Sequence, residues 1–169
     1  QEKKIDYDLK FVCFDAESWI GNGFLIPSGP LRENLSSLKK YDAIFLKNIN
    51  SNIDEIMNMI KEYNYDIPVF HTRYEITNLD SFEISKKYLI FSGIGAPQNF
   101  KNLLLSKNFN IVKELIFPDH HKYDEKDIHK IKSIALKLKA KIITTEKDFV
   151  KIPDELNSDL NFLKVDILI

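Results

Sequence analysis

Apolar residues along this chain follow two rhythms. Short runs rich in β-branched and aromatic residues recur at Leu9 to Phe14, Ala43 to Leu46, Ile67 to Phe70, Tyr88 to Phe91, Ile111 to Phe117 and Lys141 to Thr144. Each has the length of a buried strand, and Leu160 to Val165 adds a candidate edge strand. Between the runs the spacing changes to three and four. Leu31, Leu35 and Leu38 repeat behind Pro30, which suits a first helical position, and they predict a helix there. Ile53, Ile56, Met57 and Ile60 predict a second helix, and Pro97, Phe100, Leu103, Leu104 and Leu105 a third. Asp124 as a cap, followed by Ile128, Ile131, Ile134, Ala135 and Leu138, predicts a fourth.

Strands alternating with helices predict βαβ units. The expected class is α/β, three layers α/β/α around a mainly parallel sheet covered on both faces. A length of 169 residues suits a single domain spanning 1–169. In such sheets ligands gather beyond the carboxyl ends of the strands. Asp15 ends the first predicted strand, Lys47 and Asn48 the second, and Ser92 to Gly95 the fourth; Asp119 and His120 follow the fifth, and Thr145 to Asp148 the sixth. Five polar segments are thus expected on one rim.

Composition narrows the function classes. Hydrophobic residues make up 44% and charged ones 29%, ordinary values for a globular chain, so disorder is not expected. A net charge of -1 argues against a dominant nucleic-acid footprint, and no nucleic-acid partner is expected. Cys13 is the sole cysteine, which rules out an internal disulfide or a thiolate metal set; its place in the apolar run Phe11 to Phe14 predicts a small buried hydrophobe. No apolar run approaches the ~20 residues that span a bilayer, and no signal peptide is visible, so a cytoplasmic chain is expected. The first residue is Gln and a strand follows almost at once, as expected of a piece of a longer polypeptide.

Four segments carry candidate chemistry. In "GNGFLIPSGPLRE", Gly21 to Glu33, Gly21 and Gly23 permit positive φ, and Ser28, Gly29 and Pro30 make a turn feeding the predicted helix. A loop and helix start account for the glycines and prolines but less well for Arg32. A cation in a first helical turn faces the positive end of the macrodipole, a mismatch of ~0.3 to 1 kcal/mol, which an anion held jointly by the helix start and the guanidinium would reverse. In "SGIGAPQNF", Ser92 to Phe100, Gly93 and Gly95 suit either tight strand-to-helix packing or close backbone approach to a ligand; GxGxxG is absent.

In "FPDHHKY", Phe117 to Tyr123, a carboxylate beside an imidazole suits general acid or base work near neutral pH, or merely ends a strand. The vicinal His120 and His121 project differently and need not share a site. Zinc is disfavoured, because no HExxH, no cysteine pair and no other close histidine completes a set; His71 and His129 read as strand-end and helix-surface residues. In "TTEKDFVK", Thr144 to Lys151, Thr145 and Asp148 loosely match a capping box, with ligand recognition by Glu146, Lys147 or Asp148 as the competing reading.

Taken together and in this order, the four segments resemble tetraacyldisaccharide 4′-kinase, the lipid A 4′-kinase of Gram-negative bacteria, and Asp15 ahead of the first also fits. The resemblance implies a P-loop NTPase-like fold, of which this chain would be the carboxyl-terminal half. It implies ATP-dependent phosphorylation of the 4′-hydroxyl of a tetraacylated glucosamine disaccharide 1-phosphate, with Mg²⁺, at the cytoplasmic face of the inner membrane. It also implies that Arg32 lies near phosphates and Glu33 near the metal or substrate. Asn22, Gly93, Glu146, Lys147 and Asp148 would fall on the nucleotide or substrate side, and His120, favoured over His121, would support catalysis with Asp119 orienting it.

One feature of that family is missing here. The sequence contains no GxxxxGK[ST], whose amides, lysine and hydroxyl cradle phosphates and Mg²⁺. The resemblance places that motif, the acidic metal-handling residues and a membrane-binding helix ahead of the region matched, so the 169 residues alone are expected to be inactive. Two other readings stand beside this one. A DHH-type phosphoesterase would use Asp15 and Asp119 toward two metals, and a non-catalytic domain would be a remnant or the partner of a separate amino-terminal half.

Overall fold

The computed structural model describes residues 7–47 and 53–169, so Asn48 lies outside the described residues. The chain divides into two compact units, Gln1–Glu75 with Ile167–Ile169, and Ile76–Asp166, each built on its own sheet instead of the single sheet expected. Alternating strand and helix signals count strands but do not say which strands pair. Pairing is decided by which faces need covering.

In the first unit, β1 (Phe11–Asp15), β2 (Ala43–Lys47) and β3 (Val69–Ile76) run parallel, with Val12 opposite Ile44 and Ile44 opposite Val69. Between β2 and β3, α1 (Ile53–Tyr63) lays Ile56 and Ile60 on Ile44, Leu46, Leu38 and Ile67. The stripe of isoleucines at helical spacing is therefore core, as expected. β1 is an edge strand with one face outward: Val12 and Phe14 pack on the core, whereas Phe11 and Cys13 are exposed. The expectation of a buried cysteine fails, because the period-two alternation of a half-buried strand puts Cys13 on the solvent side.

The helix predicted from Pro30 also fails. Leu31 instead forms a parallel bridge with Leu25, Asn34 is extended (φ -65°, ψ 151°), and only Leu35–Lys40 turns, as a 3₁₀ helix. Leu31 and Leu38 are both buried, but from separate pieces of chain, so helical spacing is met without a helix. Arg32 consequently sits in a bend and faces no helix dipole.

In the second unit, β4 (Lys87–Ser92), α2 (Pro97–Ser106), β5 (Asn110–Ile116), α3 (Glu125–Leu138), β6 (Lys141–Thr145), the single turn α4 (Glu146–Phe149) and β7 (Leu160–Leu163) follow in order. The sheet order is β5-β4-β6-β7, all parallel. β4, buried from Tyr88 to Ser92, sits inside it. Its alternate residues divide the core: Tyr88 and Ile90 pack with Phe100 and Leu104 of α2, whereas Leu89 and Phe91 pack with Ile128, Ile131 and Ala135 of α3. Two helices on opposite faces make the expected three layers. Asp124 caps α3 in a reciprocal box, accepting the Asp127 amide at 2.8 Å while Asp127 reaches back to the Asp124 amide. β8 (Val165–Leu168) stands beside β3, giving the first sheet the order β1-β2-β3-β8.

Candidate active site at the carboxyl edge of the second sheet

The connection from β4 leads outward to β5, and the next crosses back over β4 to β6. The winding reverses between β4 and β6, and ligands of doubly wound sheets bind outside the carboxyl ends at such a reversal. Here the loops Ser92–Gly95 and Thr145–Asp148 leave the sheet side by side. The buried Asp148 carboxylate ties them, its Oδ2 accepting the Gly93 amide at 2.8 Å.

Asp148 is held from its own side as well. Thr145 caps α4 by accepting the Asp148 amide at 3.1 Å and donates its hydroxyl to Asp148 Oδ2 at 2.9 Å, while Lys151 Nζ meets Oδ1 at 2.8 Å. The loop after β5 joins from the other side, with the Phe117 amide donating to the Ser92 carbonyl at 2.9 Å and the His120 amide to the Gly93 carbonyl at 3.2 Å. A side chain at Gly93 would be crowded. A Cβ there would lie 3.0 Å from the Pro118 carbonyl and from the Tyr123 hydroxyl, and 3.2 Å from His121 Cβ. The close neighbours belong to the segment after β5 and not to α2, the helix that strand-to-helix packing would supply.

The two histidines occupy different environments. His120 has a left-handed backbone, φ 60°, and its ring is 75% exposed. That conformation is uncommon outside glycine, and two acceptors for one amide hold it, Gly93 O and Asp119 Oδ1 at 3.0 Å. Asp119 does not hold the ring itself, since His120 Nε2 is 3.7 Å from Asp119 Oδ2, beyond hydrogen-bond range. It orients His120 through the backbone. Lys147 Nζ lies 3.4 Å from Asp119 Oδ1. Partial desolvation pulls the Asp119 carboxyl upward, but Lys147 and His120 outweigh it and hold its pKa below the usual range.

His121 is half-buried. Its Nε2 pairs with Asp127 Oδ2 at 2.7 Å, and its ring packs on Phe117 and Tyr123. The α3 capping box thus fixes His121 and leaves His120 facing outward.

Sequence reasoning did not single out Tyr123 or Lys151, although both lie inside the quoted segments. The Tyr123 hydroxyl is buried beside the Asp148 carboxylate, yet no described group meets it with hydrogen-bond geometry. Burial, and then the negative charges of Asp148 and Asp127, raise its pKa. No spacing signal marks such a group; only its place behind Gly93 does.

The remaining predicted residues lie in the first unit. Asn22 shapes the loop, donating to the Ser28 carbonyl at 2.8 Å and accepting from the Phe24 amide at 3.2 Å. Arg32 is exposed with no ion pair among the described residues, and Glu33 stands beside the Tyr41 hydroxyl. At the carboxyl edge of this sheet Lys47 Nζ pairs with Asp15 Oδ2 at 3.0 Å and lies 5.5 Å from the Tyr74 ring centre. The structure thus brings Gly93, Asp119, His120, Lys147 and Asp148 together in one unit, with Glu146 exposed on the same turn as Lys147. Asn22, Arg32 and Glu33 belong to the other unit.

These features define a doubly wound α/β protein with a charged loop cluster at its switch point. The family model for tetraacyldisaccharide-1-P 4'-kinase matches residues 1–169, and the chain belongs to that family. It is 40% identical to the tetraacyldisaccharide 4'-kinase of Pelagibacter ubique (strain HTCC1062) over 164 residues, covering 97% of this chain and 52% of that protein. It is 37% identical to the enzyme of that name from Rickettsia canadensis (strain McKiel) over 164 residues, covering 96% and 48%. The chain spans about half the length of the curated relatives it matches. Its fold is similar to that of LpxK from Aquifex aeolicus, crystallised in complex with ATP, with a TM-score of 0.64 at 22% identity over 99% of this chain and 50% of that one.

Proposed function

We propose that this chain supplies one half of an ATP-dependent kinase for the 4′-hydroxyl of a tetraacylated glucosamine disaccharide 1-phosphate, a step in lipid A assembly. The γ-phosphoryl of ATP passes to the hydroxyl oxygen, ADP leaves, and the hydroxyl proton must be taken up. The observation that carries this reading is the hydrogen-bonded convergence of three motif segments on one switch-point edge, in a chain of this family.

His120 is the side chain placed to handle that proton or the developing charge, because its ring is exposed at the rim while its backbone is fixed. Lys147 and Glu146 offer charge on the same rim. Arg32, exposed and free of ion pairs among the described residues, suits phosphate oxygens through its guanidinium fork. Phosphoryl transfer depends mostly on positioning and electrostatic stabilisation, so half a phosphate cradle supports little turnover.

Mg²⁺ enters by family only. Among the described residues no three carboxylates, imidazoles or thiols converge into a site of their own; Mg²⁺ carried by ATP needs only one or two protein carboxylates, and Glu33 offers one. We therefore place its binding with ATP and the P-loop segment. The same lack of a converging ligand set weighs against the two-metal phosphoesterase reading. No described helix is long and apolar enough to cross a membrane. Action at the cytoplasmic face of the inner membrane is proposed from the lipid nature of the substrate.

The test compares the 169 residues alone with the polypeptide that includes its P-loop half, using ATP and the tetraacylated disaccharide 1-phosphate. Turnover by the longer polypeptide only, reduced by Arg32→Ala and by His120→Ala, is expected. Turnover by the shorter chain overturns the half-site reading.

A further inference from the structure

The Asp148 carboxylate is the polar group that the proposed chemistry leaves without a task. Sequence reasoning set it among ligand-facing residues, yet the residue is 0% exposed. Its oxygens are occupied: Oδ2 accepts the Gly93 amide at 2.8 Å and the Thr145 hydroxyl at 2.9 Å, and Oδ1 meets Lys151 Nζ at 2.8 Å. A carboxylate so enclosed persists only because each bond is made.

Gly93 passes the constraint on. Its amide is fixed by Asp148, its Cα is walled by Pro118 and Tyr123, and its carbonyl accepts the His120 amide at 3.2 Å. His120 sits at φ 60°, a conformation that its own energetics do not favour and that external hydrogen bonds must hold. One path therefore runs from Lys151 through Asp148 and Gly93 to the backbone of His120.

We propose that Asp148 is a positioning residue for His120. Through the Gly93 peptide it sets where the imidazole stands, and it touches neither nucleotide nor lipid. The functional consequence rests on the kinase reading; the geometric claim does not.

The test has two arms, each on Asp148→Asn and Thr145→Val. In the first, backbone amide exchange is read by NMR on the chain itself. The amide side chain turns a charge-assisted bond into a neutral one of roughly half the strength. The Gly93 and His120 amides are expected to exchange about tenfold faster, with Ile131 and Ile134 in α3 unchanged. Unaltered exchange at Gly93 and His120 in both variants overturns the proposal.

The second arm measures turnover in the polypeptide that includes the P-loop half, with and without His120→Ala. Asp148→Asn is expected to lower kcat about tenfold with KM for ATP and lipid held within about twofold, and to add no further loss to His120→Ala. A raised KM points to ligand contact and additive losses point to a general structural role; either result overturns the proposal. If the unaltered polypeptide shows no kinase activity the kinase reading fails, and the exchange arm still decides the geometric claim. If Asp148→Asn does not fold, Thr145→Val, which removes the hydroxyl's bonds to the Asp148 carboxylate and amide and keeps the charge, decides both arms.

Discussion

Replacing Gly93 by alanine tests the packing of the loop cluster one methyl group at a time. The new Cβ would stand 3.0 Å from the Pro118 carbonyl and from the Tyr123 hydroxyl, and 3.2 Å from His121 Cβ. The first neighbour is backbone, tied in turn because the His121 amide donates to the Pro118 carbonyl at 3.1 Å. Overpacking of this kind costs roughly 1–3 kcal/mol, and with two contacts at the closest limit a loss of about 2 kcal/mol is expected.

Tyr123→Phe removes one of those two contacts together with a buried hydroxyl that lacks a partner among the described residues. Such a hydroxyl costs on the order of 1–3 kcal/mol, so Tyr123→Phe alone should be neutral or stabilising by about 1 kcal/mol. In its background Gly93→Ala should cost about 1 kcal/mol less than in the parent. Native-state hydrogen exchange at the Leu89, Ile90 and Ile143 amides reads the stability of the second sheet directly. Gly93→Ala within about 0.5 kcal/mol of the parent, or the same cost in both backgrounds, would refute the reasoning.

Two further outcomes follow from the same contacts. Asp124→Ala removes the side-chain half of the α3 capping box and should lower stability by about 1 kcal/mol in thermal unfolding, while the backbone amide at 124 keeps its bond to Asp127 Oδ2, the oxygen that also meets His121. The raised pKa of Tyr123 means that the folded state keeps its proton longer than the unfolded chain does. The associated stability is whole below about pH 10 and is lost as pH rises through the folded-state value, by about 1.4 kcal/mol per pH unit. Urea midpoints measured from neutral to alkaline pH should fall less steeply in Tyr123→Phe.

The sequence was most informative where burial is decided locally. β4 is a continuous apolar run and proved buried on both faces, with alternate residues feeding two cores. The α3 stripe and its Asp124 cap were both visible, because the capping box and the helical period are short-range signals. The Leu31, Leu35, Leu38 spacing misled because a bridge and a 3₁₀ turn bury Leu31 and Leu38 equally well, and no strong propensity arbitrated. Cys13 misled because an apolar run does not reveal that one face of its strand is left uncovered, the face that also exposes Phe11 and Phe70.

The candidate site divides in the same way. That Asp119, His120 and Lys147 lie beyond strand ends could be read from order alone. That Asp148 turns inward could not, because its burial depends on the Gly93 amide, 55 residues away in sequence. The same segment offers Lys147 and Asp148 as adjacent charges, and only the fold of α4 sends one outward and the other into the core. Likewise the choice between His120 and His121 turns on Asp127, which captures His121 from the first turn of α3.

The most direct measurement of the central claim is steady-state kinase turnover by a polypeptide uniting this chain with the P-loop half that the proposal calls for, with His120→Ala and His121→Ala compared under saturating ATP and lipid. The account predicts that His120→Ala lowers kcat by about 10² or more, as expected for loss of a proton-handling group, while KM is little changed. His121→Ala should act mainly on stability. Full activity in His120→Ala, or equal loss of kcat in both variants at equal folded fraction, would contradict it.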